Sequence, residues 1–357
     1  MNLIADWFRR YFSDPQAVIL AVLLLLGFGA VLIFGKMLAP VLASLVIAYL
    51  LEGVVRVVVR RGVPRLSAVI LVFLSFLAFV LFLLFGVTPL LWAQTVELAR
   101  ELPTYINQGQ QALLQLPQHY PIISEQQVTE LLQVIRAQGL GFGQRILAYS
   151  LTSLPGVITI LVYMILVPLL VFFFLKDKEL LVHWCSGFLP RERHLPQQVW
   201  REVDVQIGNY VRGKFWEILI IGVVTSVTFV LMGLKYAVLL GVLVGLSVVV
   251  PYIGAAVVTI PVALIAWFQW GWSSAFAWLM AAYAIIQALD GNVLVPLLFS
   301  EVVNLHPVAI IVAVLLFGGL WGFWGVFFAI PLGTLVSAII RAWPRPGVAA
   351  KGEAAPG

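Results

Sequence analysis

Hydrophobic positions in this chain come in long unbroken runs, and the polar positions are gathered between them. A helix needs about eighteen to twenty apolar residues to cross a hydrocarbon core of about 30 Å, whereas a transmembrane barrel would show alternating segments of about ten. The pattern predicts spans over 17–35, 38–57, 67–91 and 152–175, with Gly35-Lys36 as a tight hairpin turn between the first two. Beyond Phe215 the apolar stretch continues to Ile340, and Glu217, Lys235, Asp290 and Glu301 are its only Asp, Glu, Lys or Arg residues. Here a plain span (215–233) precedes a Pro-broken pair (237–250 and 252–269), and a second plain span (273–299) precedes a Gly-broken pair (306–318 and 323–340). An unbroken helix from Ala237 to Gln269 would be roughly 50 Å long, so it must break inside the membrane. Pro251 supplies the break, because proline has no N–H to bond one turn back; Gly254 and Pro261 loosen the same region, and Pro296 and Pro331 interrupt the later helices. Interrupted segments at matching places in two halves are the sequence pointer to inverted-repeat transporters.

The expected fold is therefore an all-α polytopic membrane protein. It has six full spans plus two re-entrant or broken helical hairpins, or eight spans if the broken pairs are kinked through-helices. Composition agrees: of 357 residues 62% are hydrophobic and 10% charged, against about 25% charged in a soluble domain, and the mean hydropathy is +1.05. Net charge is +5, but the placement of Lys and Arg decides more than the sum. Arg56, Arg60, Arg61 and Arg65 crowd the turn after the second span, and the positive-inside rule assigns that turn to the cytoplasm. Parity then makes both termini cytoplasmic and sets the polar, Gln-rich segment 93–150 outside.

Five regions follow. Residues 1–92 hold an interfacial amphipathic helix (1–14) and three spans. Residues 93–150 form an extracytoplasmic helical subdomain, and 151–214 the fourth span with an amphipathic helix along the cytoplasmic surface through Val199, Val203, Ile207 and Tyr210. Residues 215–343 form a transport core with broken helices, and 344–357 a disordered tail. No small-residue cleavage site follows Met1–Pro15, so the first apolar run is expected to stay as an anchor.

Asp290 is the sharpest candidate for chemistry. A carboxylate at membrane depth faces a cavity, finds a partner or takes a proton, and a carboxyl moved between wet and dry surroundings couples to protons. Gln287 lies one turn earlier on the same face, and Gly291-Asn292 loosens the helix so that polar atoms converge there. The alternative is that Asp290 caps a broken helix end or bonds a neighbouring helix. In PYIG, Pro251 frees a carbonyl, Gly254 permits close approach, and Tyr252 either bonds cargo or anchors the break. In GGLWGFWG, Gly318, Gly319, Gly322 and Gly325 form the second break, at a spacing that also serves ordinary helix packing. His306 before Pro307 is a proton-relay candidate or a structural interfacial histidine. Glu52 and Arg56 are an intrahelical pair.

Other chemistries are excluded residue by residue. GNYVRGKF (Gly208–Phe215) has Phe215 where a nucleotide loop needs a hydroxyl, and no strand before it. Cys185 is the only cysteine, and no His/Cys cluster or nucleophile elbow is present, so no metal site, cofactor or enzymatic activity is expected. The expected partners are membrane lipids and a small polar solute or cation, with no nucleic acid.

AYLLEGVVRVVVRRGVPRLSAV, FFFLKDKELL, GNYVRGKFWEILIIGVVTSVTFVLMGLKYAVLLGVLVGLSVVVPYIG and QALDGNVLVPLLFSEVVNLHPVAIIVAVLLFGGLWGFWGVFFAIPLG together resemble the autoinducer-2 exporter-like, or PerM permease, family. PYIG, the Asp290-to-Pro296 spacing and LHP are the specific marks. Glu52-Gly53 departs from the family's polar residue followed by proline, which implies a straighter end to the second span. The resemblance implies a multi-pass transporter of the bacterial inner membrane that is a homo-oligomer. It implies export of a small signalling molecule, or sodium (lithium)/proton antiport. A membrane scaffold that transports nothing is the reading from a different class.

Overall fold

A computed structural model describes residues 15–119, 141, 154–187, 194–251, 253–299 and 306–342. The 1–14 amphipathic stretch, most of the second half of 93–150, Tyr252, Glu301 and the 344–357 tail lie outside the described residues. Every regular element among the described residues is helical. The chain divides into two compact units, one of Met1–Phe73, Leu166–Phe215 and Leu297–Gly357, the other of Leu74–Ile165 and Trp216–Pro296. Five helical stretches, Met37–Arg60, Arg65–Gln111, Asp204–Leu231, Ile253–Trp270 and Ser274–Phe299, are long and apolar enough to cross a membrane.

In the first unit, α1 (Pro15–Arg60) is helical throughout, including Gly35-Lys36 and Pro40. If straight it would be about 69 Å long. Its two ends meet neighbouring parts of the same helix, α6 (His194–Leu231): Leu20 belongs to a cluster with Ile207 and Ala338, while Tyr49 Oη donates to the Asp204 carbonyl at 2.8 Å. The axis of α1 therefore bends between these points, and Pro40, which cannot donate one turn back, lies in that interval. Arg61 and Gly62 (φ 93°) make the turn into α2 (Arg65–Phe82). The chain re-enters this unit at Leu166, within α4 (Leu154–Lys176), and continues into α5 (Lys178–Gly187).

The tight turn expected at Gly35-Lys36 is not there, since α1 is helical through it, and two further changes of pattern fall inside continuous helices. The polar segment after residue 92 does not begin as a separate body: a π-helical turn (Leu83–Val87) carries α2 directly into α3 (Thr88–His119). Nor is the amphipathic stretch after residue 199 separate from the next span, since both lie in the 38 residues of α6. Tyr210 on that stretch is buried, its ring 5.8 Å from that of Phe299, and its hydroxyl donates to the Phe327 carbonyl at 3.0 Å. Gly213 lies in the middle of α6, and nothing there breaks the helix where the polar pattern gives way to the apolar one. Gly208–Phe215 is likewise helical, not a loop.

The second unit is built around a hairpin of α7 (Ala237–Ser247) and α8 (Ile253–Trp270). Leu240, Val244 and Val248 share one core with Val262, Ile265 and Ala266 from the far half of α8, so the second helix returns along the first. The same device recurs in the first unit, where α11 (Pro307–Trp321), α12 (Phe323–Phe327) and α13 (Ala329–Ala342) pack on one another. Each broken pair thus folds back on itself, as the re-entrant alternative requires.

Candidate functional site

The site residues of the second unit lie on α9 (Ser274–Leu289) and the π-helical turn Asp290–Leu294, which leads into α10 (Val295–Phe299). Ser273 starts α9 by accepting from the Phe276 N–H at 3.4 Å. Sixteen residues on, the helix widens. Val295 N–H bonds to the Asp290 carbonyl, a five-residue step, and Pro296 removes the next donor. Asn292 Nδ2 donates to the Ala288 carbonyl at 2.8 Å, taking the acceptor that its own N–H would serve in an α-helix. The turn buries Asp290, at 9% exposure, and leaves Gly291 and Asn292 exposed. Gly291 has open space around its missing β-carbon, so its contribution is low helix propensity rather than close packing.

Tyr283, Gln287 and Asp290 stand at i, i+4 and i+7, one face of the helix. Tyr283 is buried, with Oη 3.1 Å from Thr259 Oγ1 on α8. Thr259 spends its own proton on the Ala255 carbonyl at 2.7 Å, so the tyrosine donates. The Tyr283 ring also lies 6.0 Å from that of Phe229 on α6. Gln269, near the end of α8, holds the loop after α6 by accepting from Lys235 N and donating to the Gly233 carbonyl, both at 2.8 Å. The end of α8 therefore lies beside the end of α6. One turn before Phe229 on α6 is Thr225, and one turn after Tyr283 on α9 is Gln287. Thr225 is fully buried, and neither its Oγ1 nor Gln287 Nε2 has a hydrogen-bond partner among the described residues. An orphaned buried polar group costs about 1–3 kcal/mol. Thr225 on α6, with Gln287 and, one turn on, buried Asp290 on α9, thus gives the two helices that meet through Phe229 and Tyr283 polar groups in an apolar core, a polar seam.

Glu217, on the same α6, is also buried, at 2% exposure. Thr225, Thr259, Tyr283 and Glu217 were not among the expected site residues. The available signal was polar residues at helical spacing in α6 and α9, but a hydroxyl in an apolar helix more often bonds its own backbone.

The remaining candidates lie elsewhere. Pro251 and Gly254 form the turn of the α7–α8 hairpin, where Gly254 N–H bonds the Val250 carbonyl at 3.0 Å and a β-carbon on Gly254 would overlap the Ser247 carbonyl. Pro261 is half-buried inside α8. In the other unit, exposed His306 caps α11, with Nδ1 accepting from Val308 N–H at 3.3 Å. Gly322 (φ 60°, ψ −134°) turns the second hairpin, Gly325 packs against the Phe317 carbonyl, and buried Pro331 sits in the first turn of α13, where a missing N–H is tolerated. Gly318 faces Val326, and Gly319 faces open space.

Sequence comparison relates the chain to known proteins. The model of a family described as "AI-2E family transporter" matches residues 19–345. The chain is 47% identical over 350 residues to the Escherichia coli (strain K12) protein named "Putative permease PerM", covering 98% of this chain and 99% of that one. It is 27% identical over 307 residues to "Putative transport protein YrrI" of Bacillus subtilis (strain 168), covering 84% and 85%. The chain belongs to the AI-2E transporter family.

Proposed function

We propose that this protein moves a small polar solute outward across the bacterial inner membrane along the polar seam of its second unit. The observation that carries the reading is the buried Asp290, set in a π-helical turn on the face that also bears Gln287 and Tyr283. A hydrocarbon-facing helix has no use for that face. A helix that lines a wet passage does, because water or cargo supplies the bonds that Thr225 and Gln287 lack within the protein. The widened turn supports the same reading, since π turns concentrate where a helix must aim a side chain out of register.

The cargo that family membership favours is an autoinducer-2-like signal, and Asp290 is the group through which export would couple to protons or cations. A cation entering in exchange for a proton is the second reading, favoured by the same carboxylate. Neither route needs an enzymatic step. The arginine-rich turn after α1 supports cytoplasmic termini, and the family resemblance supports a homo-oligomer.

Proteoliposomes test the reading. With the wild-type protein, efflux of a small hydroxylated carbonyl solute should exceed that of empty vesicles and respond to an imposed pH gradient. Asp290→Asn should cut the flux at least about tenfold with the melting temperature retained. Cation uptake driven by an imposed pH gradient, with no solute efflux, would favour exchange. Flux equal to that of empty vesicles for the wild-type protein would overturn transport altogether.

A further inference from the structure

At the opposite end of the chain from the polar seam, Glu52 is the centre of an ionic cluster drawn from three segments of the first unit. Its side chain is 6% exposed. Lys178 Nζ, at the start of α5, donates to Oε1 at 3.0 Å. Arg65, at the start of α2, reaches both carboxylate oxygens, Nη1 to Oε1 at 3.4 Å and Nη2 to Oε2 at 3.5 Å, and also donates to the Leu175 carbonyl at 3.3 Å. Arg56, the partner expected from spacing alone, is the most distant, its Nε 4.0 Å from Oε1.

Three cations converge on one carboxylate, and they are not dry. Their side chains are 54%, 36% and 42% exposed for Arg56, Arg65 and Lys178. Arg60 and Arg61 are exposed beside them, and Lys176 pairs with Asp177 at 3.9 Å. Counting Glu179 as well, six basic side chains face three acidic ones in residues 52–65 and 176–179. Glu52 therefore gathers these cations without neutralising them. Among the described residues, the outer N–H groups of Arg56 and two of the three of Lys178 meet no other carboxylate, which leaves them for an anion.

The cluster sits where the Met37–Arg60 stretch ends and the Arg65–Gln111 stretch begins, at the junction of two stretches long and apolar enough to cross a membrane. Val54, Val57 and Leu66 next to it are exposed at 49%, 49% and 54%. Surplus positive charge directly above exposed aliphatic surface is complementary to one amphiphile, a phospholipid whose headgroup carries net negative charge. We infer that Arg56, Arg65 and Lys178 form a binding site for the headgroup of an anionic phospholipid, with Glu52 holding the three cations in register. A lipid seated there would bridge the ends of α1, α2 and α5.

Native mass spectrometry of the detergent-purified full chain, titrated with dioleoylphosphatidylglycerol and with dioleoylphosphatidylcholine, tests this. The wild type should retain phosphatidylglycerol in preference. Each surface cation lost should weaken retention by several-fold, so Arg56→Gln with Lys178→Gln should lower it about tenfold or more. The charge-conserving pair Arg56→Lys with Lys178→Arg should keep it. If the double glutamine variant does not assemble, Arg56→Gln alone carries the test, since Arg56 contributes least to the internal contacts, and it should still lower retention. Equal retention of the two lipids, or glutamine variants that hold phosphatidylglycerol like the wild type, would overturn the proposal. Displacement of the lipid by millimolar inorganic phosphate would reassign the cluster to a soluble anion.

Discussion

The two hairpins are built by the same device and differ in what surrounds them. Each packs a glycine against the carbonyl of a residue seven or eight positions earlier, Gly254 against Ser247 and Gly325 against Phe317. In both, a β-carbon would occupy the space of a backbone oxygen, and backbone cannot step aside as a flexible side chain can. The surroundings diverge. The second hairpin leads into α13, where the buried Thr334 hydroxyl is satisfied locally by the Pro331 and Ile330 carbonyls at 2.8 and 3.1 Å; the Trp321 indole N–H is its one buried orphan among the described residues. The first hairpin packs with α6 and α9, which bring Glu217, Thr225, Gln287 and Asp290 into an apolar unit. Hairpins alone are architecture, and the polar seam beside one of them is what points to transport.

The largest expected effect breaks the shared device. Gly254→Ala and Gly325→Ala should each cost about 3 kcal/mol or more, because overlap with backbone forces the hairpin apart. Gly319→Ala, made toward open space within a helix, should be neutral or slightly stabilising. Thermal unfolding in detergent would separate the three, and equal melting temperatures would mean the glycines are not what closes the turns. Next is Gly322→Ala, at a backbone conformation that L residues rarely adopt, with an expected loss of about 1–3 kcal/mol.

A subtler substitution sharpens the difference between the two surroundings. Thr225→Val removes a buried orphan hydroxyl while keeping the shape, so stability should hold or rise by about 1 kcal/mol. Flux through proteoliposomes should fall several-fold. A stability loss with flux unchanged would make Thr225 a packing residue. The smallest effect belongs to the half-exposed Lys235–Glu101 pair (3.2 Å), where Lys235→Ala should cost at most about 1 kcal/mol and leave flux within twofold.

The breaks were legible because their causes are local. Proline at 251 has no donor, and glycines clustered at 318–325 allow a turn wherever the backbone must cross itself. Asp290 stood out because few carboxylates lie in so long an apolar run. What could not be read depends on partners distant in sequence or on a competition between near-equal geometries. Gly291-Asn292 signalled a loosened helix, but a π turn follows only when Asn292 can take over the Ala288 carbonyl. Spacing paired Glu52 with Arg56, whereas its shortest contact is Lys178, 126 residues away. The change of pattern near residue 215 suggested a boundary, yet only loss of helical hydrogen bonding ends a helix, and α6 runs straight through.

Transport along this route requires that the face of α9 carrying Gln287 and Asp290 be wet. Cys185 is the only cysteine and is exposed, so Cys185→Ser clears the background for a single thiol at Gln287→Cys. Reaction of that thiol in sealed vesicles with a charged, membrane-impermeant methanethiosulfonate reagent is the most direct measurement. Labelling is expected from at least one side of the membrane, slowed by transported solute. A thiol that reacts from neither side, yet is modified once the protein is unfolded, would contradict it.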